Sequence, residues 1–140
     1  MIVLDTNVVS ELMRHRPDAA VTAWIAARSA ASLYTTTITH AEILYGIMIL
    51  PKGKRRDTLE LAAEAMFDTE FAERLLPFTA AAARAYARIA DARRRAGRPI
   101  STFDAQIAAI ASASGSSLAT RNVDDFEQCG IDVIDPWTKT

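Results

Sequence analysis

Cysteine is almost absent from this chain. Cys129 is the only one among 140 residues, so an internal disulfide is excluded. Proteins of oxidising compartments often carry paired cysteines, whereas cytosolic proteins keep their thiols reduced. The sequence also contains no apolar run of about 18 residues, the length that would indicate a membrane span, and no basic-then-apolar leader. We therefore expect a cytoplasmic protein that does not bind a membrane.

An excess of positive charge is missing as well. The chain has 16 Lys and Arg against 17 Asp and Glu, which gives a formal net charge of −1. A strongly basic composition is one indication of a nucleic-acid-binding protein, and this sequence does not show it. If the protein binds a polyanion, its positive charges must be concentrated locally.

Two common kinds of catalytic motif are also lacking. No Gly-x-Gly-x-x-Gly follows the first predicted strand and no Walker-type loop occurs, so a nucleotide cofactor is not expected. Neither His15 nor His40 stands in a Ser-His-Asp or Cys-His setting that the sequence can reveal. The sequence therefore does not favour a hydrolase with a serine or cysteine nucleophile.

Strand and helix patterns alternate along the chain. Apolar and β-branched stretches predict strands at residues 2–4, 32–39, 74–78, 116–120 and 131–135. Helical periodicity and capping residues predict helices at residues 6–13, from residue 17, and at 40–50, 57–73, 79–97 and 101–114. This alternation predicts an α/β fold with a parallel sheet and helices on both faces. Because no linker or repeat interrupts the pattern, residues 1–140 are expected to form one domain.

Acidic side chains recur where the predicted strands end and the next helices begin. Asp5 directly follows the first strand, and Glu42 and Asp104 lie in the first turns of predicted helices. A fourth acidic position, within residues 122–125, follows the fourth strand at once. In an open parallel sheet, ligands bind in a crevice outside the carboxyl ends of the strands. We therefore expect these acids to converge there.

Each acid taken alone also fits a helix-capping role. Asp is a good N-cap, which would suit Asp5, and Thr39-x-x-Glu42 and Ser101-x-x-Asp104 match a capping box or a looser version of it. Two features favour a functional role instead. Asp104 heads the apolar stripe that should pack on the sheet, and Asp5 follows a buried strand directly. Capping explains neither orientation.

Carboxylates gathered at one sheet edge repel each other. Two unit charges 4 Å apart interact by about 4 kcal/mol at an effective dielectric constant of 20. Such a cluster is tolerated if some of the acids are protonated or if a cation lies among them. Mg²⁺ is held by a few carboxylates and keeps several of its waters. The acidic cluster is therefore interpreted as a metal site.

Four motifs, in this order, resemble those of the PIN domain family: VLDTNVVSEL, THAEILYG, STFDAQIAA and LATRNVDDF. More narrowly, essentially the whole chain resembles the VapC-type toxin ribonucleases of bacterial type II toxin–antitoxin systems. The resemblance implies a three-layer α/β/α sandwich around a five-stranded parallel sheet. It also implies an endoribonuclease that uses Mg²⁺ or Mn²⁺, forms homodimers or larger complexes, and is inhibited by a cognate antitoxin.

The resemblance assigns roles to three acids of this chain. Asp5, Glu42 and Asp104 match the best-defined acids of the family. We expect Asp5 and Asp104 to bind the metal, directly or through water. Glu42 is expected to bind it through water or to act as the general base.

The fourth catalytic acid is left open by the sequence. Some relatives have Asp where this chain has Asn122, and others have Asn there with an Asp two or three residues later. Asp124 and Asp125 are therefore both candidates, and Asp125 is preferred because Asn122-x-x-Asp125 would place it in a first helical turn. Asn7 is expected to orient Asp5, and Thr120 is expected to shape the pocket that holds the acids.

Basic side chains must hold the phosphates, because acids alone would repel RNA. The candidates are Arg121, which is nearest the predicted acids, then Lys52, Lys54, Arg55 and Arg56, and the arginines at positions 93, 94, 95 and 98. For all of these except Arg121, the alternative interpretation is an ordinary solvated surface.

Two other functions are compatible with parts of the pattern. A haloacid-dehalogenase-like phosphatase also has an Asp at the end of its first strand. That chemistry usually needs a second Asp two residues later, where this chain has Asn7. A catalytically impaired PIN-like module that only binds RNA or a partner protein is the other alternative, because Asn122 cannot supply a negative charge.

Overall fold

A computed structural model describes residues 1–138; Lys139 and Thr140, the end of the predicted domain, lie outside the described residues. The strands are β1 (Ile2–Leu4), β2 (Leu33–Thr36), β3 (Leu75–Leu76), β4 (Ser117–Ala119) and β5 (Val133–Ile134). The α-helices are α1 (Thr6–Leu12), α2 (Ala19–Ala26), α3 (Thr37–Met48), α4 (Lys54–Glu64), α5 (Ala80–Arg95) and α6 (Thr102–Ala113). Short 3₁₀ turns at Ala30–Ser32 and Val123–Phe126 and a π-helical segment at Ala65–Glu70 complete the described elements. Within residues 1–138, no helix is long and apolar enough to cross a membrane.

The five strands form one parallel sheet in the order β3-β2-β1-β4-β5. The chain builds the sheet outward from β1 to β3 on one side and then crosses to β4 and β5 on the other. The order therefore reverses between β1 and β4, where Leu4 pairs with Ala119. Open α/β sheets bind ligands in the crevice outside the carboxyl ends of the strands at such a switch point. The predicted parallel α/β fold is confirmed.

Successive residues of β1 belong to different cores, one on each face of the sheet. Val3 packs in a cluster that includes Ile107 of α6 and Leu118 of β4. Leu4 packs in the opposite cluster, which includes Phe67 and apolar residues of α1 to α4. Fully burying a side chain of this size contributes about 1.5–3 kcal/mol. A strand buried on both faces is what a three-layer α/β/α sandwich requires.

The predicted boundary after the second strand is wrong. Residues 32–39 were expected to be extended, but β2 ends at Thr36 and α3 begins at Thr37. The Thr36 hydroxyl accepts a hydrogen bond from the backbone N–H of Thr39 at 3.0 Å and so caps the helix. This cap replaces the predicted capping box at Thr39, and it places Glu42 in the second turn of α3.

Other predicted boundaries shift by a few residues for similar reasons. Asp18 caps α2 by accepting hydrogen bonds from the N–H groups of Ala20 and Val21, so the helix starts after Pro17. The expected break at residues 51–56 is shorter, because α4 already begins at Lys54. Thr79 caps α5 as predicted.

Candidate active site

Asp5 lies at the switch point between β1 and β4. Its Oδ1 accepts a hydrogen bond from the backbone N–H of Thr6 at 2.8 Å, and its Oδ2 accepts one from the Thr120 hydroxyl at 2.7 Å. The Asn7 amide donates to the same Oδ2 at 3.5 Å and to the Thr120 hydroxyl oxygen at 3.2 Å. The predicted positions of Asn7 and Thr120 beside Asp5 are therefore observed, and Asp5 also caps α1.

Burial dominates the electrostatics of Asp5. The residue is only 4% exposed, and this desolvation raises the pKa of its carboxyl to about 6, although the hydrogen bonds from Thr120 and Thr6 act in the opposite direction. The negative charges of Asp104 and Glu42 raise it further. The fold thus holds a carboxylate where an isolated negative charge is unfavourable.

Glu42 reaches the same region from α3. Its Oε1 accepts a hydrogen bond from the Thr6 hydroxyl at 3.0 Å, and that hydroxyl also contacts the Thr39 hydroxyl at 3.0 Å. Partial burial, and after it the charge of Asp104, raise the pKa of the Glu42 carboxyl, while the Thr6 hydrogen bond lowers it. Thr6 therefore links the first acid to the second: its backbone binds Asp5 and its side chain binds Glu42.

Asp104 occupies the first turn of α6, as predicted. Its backbone N–H donates to the hydroxyl of Ser101, the N-cap residue, at 3.2 Å. Partial burial raises the pKa of its carboxyl and the charge of Asp125 adds to this, whereas the Ser101 hydrogen bond and the charge of Arg93 lower it. A third carboxylate therefore approaches Asp5 from the opposite layer of the sandwich.

The three carboxylates line one cavity of about 480 Å³. The remaining residues that line it are Thr6, Asn7, Ser10, Glu11, Arg14 and Asn122. The convergence expected from the sequence is therefore present in the fold.

Asp124 and Asp125 do not line this cavity. Both are exposed in the 3₁₀ turn Val123–Phe126, which buries Phe126. They line a neighbouring cavity of about 410 Å³ that they share with Arg121. Asn122, which stands where some relatives have the fourth acid, contributes to the wall of the acidic cavity. Asp125 does lie in a first helical turn, as expected, but the turn is 3₁₀ and the residue lines the neighbouring cavity. Its negative charge nevertheless contributes to the raised pKa of Asp104.

The donor atoms around the acids fit a hard, hydrated cation. Among residues 1–138, no three His, Cys, Asp or Glu side chains are grouped closely enough to hold a metal ion together. The acids and their neighbours in the cavity nevertheless offer carboxylate, hydroxyl and amide oxygens, the ligand type that Mg²⁺ prefers. Mg²⁺ usually keeps several waters and binds only one or two carboxylates. The arrangement therefore fits an ion bound partly through water.

Four residues that line the cavity, Thr6, Ser10, Glu11 and Arg14, are not among the predicted site residues, and two of them are charged. Glu11 lies four positions after Asn7, a spacing that places both on one face of α1, and Arg14 follows shortly after the end of that helix. Glu11 is a carboxylate only 6% exposed, and it forms an ion pair with Arg14 at 3.2 Å. The helical spacing from Asn7 could have identified Glu11, whereas Arg14, beyond the end of the helix, gave no comparable signal.

The basic candidates separate into different environments. Arg121 is exposed, its guanidinium lies 5.1 Å from the ring centroid of Trp137, and its backbone N–H donates to the Asn7 side chain at 3.2 Å. Lys52, Lys54 and Arg55 are exposed, whereas Arg56 is paired with Glu60 at 3.0 Å.

The cluster of arginines near the end of α5 is not a free basic surface. Arg93 is 4% exposed and donates to the carbonyl oxygens of Arg98 and Asp125, each at 2.7 Å. Arg94 and Arg95 pair with Asp91, and Arg98 pairs with Glu127. The interpretation of Arg93 as a surface contact for RNA is therefore wrong, because its guanidinium ties α5 to the turn after β4.

Comparison with known proteins yields matches over nearly the whole chain. A family model described as the PIN domain matches residues 2–131. The plasmid stability protein StbB of Pseudomonas syringae pv. tomato is 46% identical over 137 residues, which are 98% of this chain and 99% of that protein. The VapC ribonuclease Y4jK of Sinorhizobium fredii is 44% identical over 137 residues, 98% of each chain.

Solved structures agree with these sequence matches. The crystal structure of FitAcB from Neisseria gonorrhoeae has a TM-score of 0.91 and 35% identity, and the match covers 99% of this chain and 100% of that one. VapBC-5 from Mycobacterium tuberculosis, a member of the VapBC family of toxin–antitoxin systems, has a TM-score of 0.70 and 26% identity. That match covers 94% of this chain and 95% of the other.

Proposed function

The chain belongs to the PIN domain family, and from that premise we propose that it is a metal-dependent endoribonuclease, the toxin of a toxin–antitoxin pair. The observation that carries the proposal is the cavity shared by Asp5, Glu42 and Asp104 at the carboxyl ends of the strands. The names of two similar proteins support it: one is a VapC ribonuclease, and another belongs to a family of toxin–antitoxin systems.

Mg²⁺, or Mn²⁺ in its place, is the cation proposed for this cavity. Asp5 and Asp104 would hold it, directly or through water. When bound, such an ion polarises a phosphodiester and lowers the pKa of a water. Thr120 and Asn7 keep the Asp5 carboxylate oriented through their hydrogen bonds to its Oδ2.

Glu42 is proposed as the general base. Its Oε1 is occupied by the Thr6 hydroxyl, and no hydrogen bond to its Oε2 occurs within residues 1–138. Oε2 can therefore accept the proton of an attacking water, whose oxygen bonds to phosphorus while the bond from phosphorus to the leaving ribose oxygen breaks. The leaving oxygen takes a proton from solvent. The raised pKa of Glu42 favours proton acceptance.

Asn122, Asp124 and Asp125 are proposed to share the role of the fourth catalytic residue. Asn122 lines the cavity and offers an amide to the substrate or to a bound water. Asp125, and more weakly Asp124, would act from the neighbouring cavity by adding negative charge near Asp104. Replacing either should therefore reduce cleavage much less than replacing Asp5.

Basic side chains on both sides of the cavity are proposed to hold the RNA. Arg121 borders the neighbouring cavity on one side, and Arg55 lines a second cavity beside the acids on the other. Lys52, Lys54 and Arg56 lie in the same segment as Arg55 and would add weaker, salt-sensitive contacts.

A cognate antitoxin and a second copy of the chain are the proposed protein partners. We propose that residues 1–140 form one PIN domain, that it acts in the cytoplasm, and that an antitoxin inhibits it, in a dimer or a larger complex. An apolar face of α3 supports self-association, since Tyr45, Met48 and Ile49 are 68%, 66% and 65% exposed. Exposed apolar surface of this kind commonly marks an interface.

Sedimentation of the purified protein tests the dimer. We expect a dimer for the wild type and a monomer for Met48→Glu, because a charge in an apolar interface must be desolvated. The exposed Leu61 on α4 provides a matched control, and Leu61→Glu should stay dimeric. A monomeric wild type at micromolar concentration contradicts this part of the proposal.

Cleavage of total cellular RNA tests the enzymatic part. The antitoxin-free protein is incubated with Mg²⁺, Mn²⁺ or EDTA, beside an Asp5→Asn variant. A few discrete cuts that require metal and disappear in the variant are expected. Metal-dependent cutting that persists in both Asp5→Asn and Asp104→Asn would show that the acidic cavity is not the active site.

A partner- or RNA-binding module without turnover is the second candidate. Asn122 favours it, because the wall of the cavity has an amide where an acid would complete the set. It predicts that the folded protein binds RNA or antitoxin but does not cut. Among residues 1–138, no contact supports the phosphatase alternative, since Asn7 donates hydrogen bonds to Asp5 and Thr120 and cannot act as an acid.

A further inference from the structure

The acidic cavity has an imbalance of charge that its proposed substrate must overcome. Four carboxylates line it, those of Asp5, Glu11, Glu42 and Asp104. Arg14 is the one basic side chain among the described residues of its wall. An RNA strand carries a negative charge at every phosphate, so it needs cationic contacts close to the point of cleavage. Arg14 is the side chain placed to provide one.

The hydrogen bonds of Arg14 leave part of its guanidinium free. A single nitrogen, Nη1, donates to both carboxylate oxygens of Glu11, each at 3.2 Å. Within residues 1–138, no hydrogen bond from Nε or Nη2 of Arg14 is formed, and the side chain is 66% exposed. A guanidinium has five N–H donors in a rigid plane. Several donors of Arg14 therefore remain available to a phosphate.

Glu11 is fixed independently of Arg14. Its Oε2 also accepts a hydrogen bond from the backbone N–H of Asp18 at 3.0 Å. Asp18 is in turn the N-cap of α2. The buried carboxylate is thus anchored to two helices, α1 through the chain and α2 through its cap. This anchoring restricts where the Arg14 side chain can point.

Arg14 also stands at the junction of two cavities. It lines the acidic cavity and a second cavity of about 370 Å³ whose wall is largely apolar. Thr6, Ser10 and Glu42 contribute to both cavities, and Arg55 lines only the second. A strand that leaves the acids along this side would therefore pass Arg14 first and Arg55 next.

We propose that Arg14 binds an RNA phosphate adjoining the one that is cleaved, and that Glu11 is a positioning residue that holds Arg14 in place. The inference rests on the proposed ribonuclease function and adds a substrate contact to it. The alternative is a purely structural role, in which Arg14 only neutralises the buried Glu11. The two differ in what they predict for substrate binding.

The test compares Arg14→Ala, Arg14→Lys and Glu11→Gln with a matched control, Arg16→Ala. Arg16 is an exposed arginine two residues away that lines neither cavity. Each protein is assayed for cleavage of one RNA substrate across a series of salt concentrations. Equilibrium binding of a single-stranded RNA oligonucleotide in Ca²⁺, chosen to limit cleavage, is measured in parallel.

Arg14→Ala should raise KM and the RNA Kd about tenfold and leave kcat within about twofold of wild type. The slope of log Kd against log salt should fall by about 0.7, the value for one lost phosphate contact on a single strand. Arg14→Lys should recover part of the lost RNA affinity and of the salt slope. The Kd and salt slope of Glu11→Gln should lie between those of wild type and Arg14→Ala. Arg16→Ala should match wild type.

Two results with a folded Arg14→Ala variant would overturn the inference. One is an Arg14→Ala variant with wild-type Kd and salt slope but a lower melting temperature, as the purely structural alternative predicts. The other is an equal loss in Arg14→Ala and Arg16→Ala, which would indicate a general charge effect. If Arg14→Ala does not fold, unchanged RNA binding in both Arg14→Lys and Glu11→Gln overturns it. Absence of cleavage in wild type and Arg16→Ala alike would instead count against the ribonuclease function, while the binding arm still tests Arg14.

Discussion

At the scale of single residues, Asp5 combines two functions that the sequence could not separate. It caps α1 through the N–H of Thr6, and it also places a carboxylate at the switch point of the sheet. Capping by itself is compatible with a solvated carboxylate. Here the acid is buried and faces two others, so its negative charge destabilises the metal-free protein.

The pH dependence of stability follows from the Asp5 carboxyl. Its pKa is about 6 in the folded protein and 3.8 in the absence of the fold. The native state therefore binds the proton more tightly, and stability from this group is complete below pH 3.8 and is lost as the pH rises through about 6. The loss is on the order of 3 kcal/mol at neutral pH.

Asp5→Asn removes the pH dependence of stability that the Asp5 carboxyl causes. In EDTA, the free energy of unfolding of the variant relative to wild type should therefore increase between pH 4 and pH 7. Urea unfolding at several pH values measures it. A difference between the two proteins that stays constant from pH 4 to pH 7 would contradict the burial argument.

Asn122 allows a second prediction at this scale. Asn122→Asp adds a carboxylate to the wall of the acidic cavity, and one more anionic oxygen should increase Mg²⁺ affinity. We expect the Mg²⁺ concentration for half-maximal cleavage to fall severalfold. Asp124→Asn is the matched control, because that residue lines only the neighbouring cavity. A higher Mg²⁺ requirement in Asn122→Asp would show that the amide has a role of its own.

At the scale of elements, the turn after β4 depends on a contact from a distant helix. Arg93 of α5 donates to the carbonyl oxygens of Asp125 and Glu127, at 2.7 and 3.1 Å. The 3₁₀ turn spans only four residues, Val123–Phe126, and besides Arg93 only the Cys129 thiol, at 3.7 Å from the Glu127 oxygen, donates to these two carbonyls within residues 1–138. Arg93 thus sets the position of a segment that borders the active site.

Arg93→Ala should destabilise the protein by about 3 kcal/mol or more, because it removes the hydrogen bonds of a buried guanidinium to three carbonyl oxygens, those of Arg98, Asp125 and Glu127. The exposed neighbour Arg94, paired only with Asp91 on the surface, is the control, and Arg94→Ala should change stability by less than about 1 kcal/mol. Urea midpoints of both variants give the comparison. Equal midpoints would mean that the buried guanidinium contributes nothing to the turn.

At the scale of the whole molecule, the two layers of helices bring the acids together. Asp5 comes from β1, Glu42 from α3 on one face of the sheet, and Asp104 from α6 on the other. An ion that binds among them connects all three layers of the sandwich. Binding of this kind stabilises the native state, since the unfolded chain cannot assemble the site.

Because the ion would connect the three layers, the melting temperature should depend on the Mg²⁺ concentration. The melting temperature of the wild type should rise with Mg²⁺ concentration, whereas Asp104→Asn should respond weakly. An exposed acid outside the cavity, Asp68, offers the control, and Asp68→Asn should behave as wild type. A melting temperature that is independent of Mg²⁺ in the wild type would argue against a metal site in the folded protein.

Local sequence patterns were enough to predict the order of strands and helices along the chain, the parallel sheet and the arrival of Asp5, Glu42 and Asp104 at one edge of it. These features follow from local hydrophobic periodicity and from the rule that parallel strands end on the same side. The end of β2 was missed because Thr36 can either extend a strand or cap a helix, and only the contacts of its hydroxyl decide between them.

Which groups face the acids depends on contacts between distant segments. Asn122 lines the cavity while Asp124 and Asp125 do not, because packing of the turn against α5 fixes its orientation. Arg93 is buried, although its charge suggested a surface position, because carbonyl oxygens from a distant segment surround its guanidinium. Arg14 enters the cavity because Glu11 is anchored to α2. Each outcome depends on contacts between segments, and the pattern of a single segment contains no information about them.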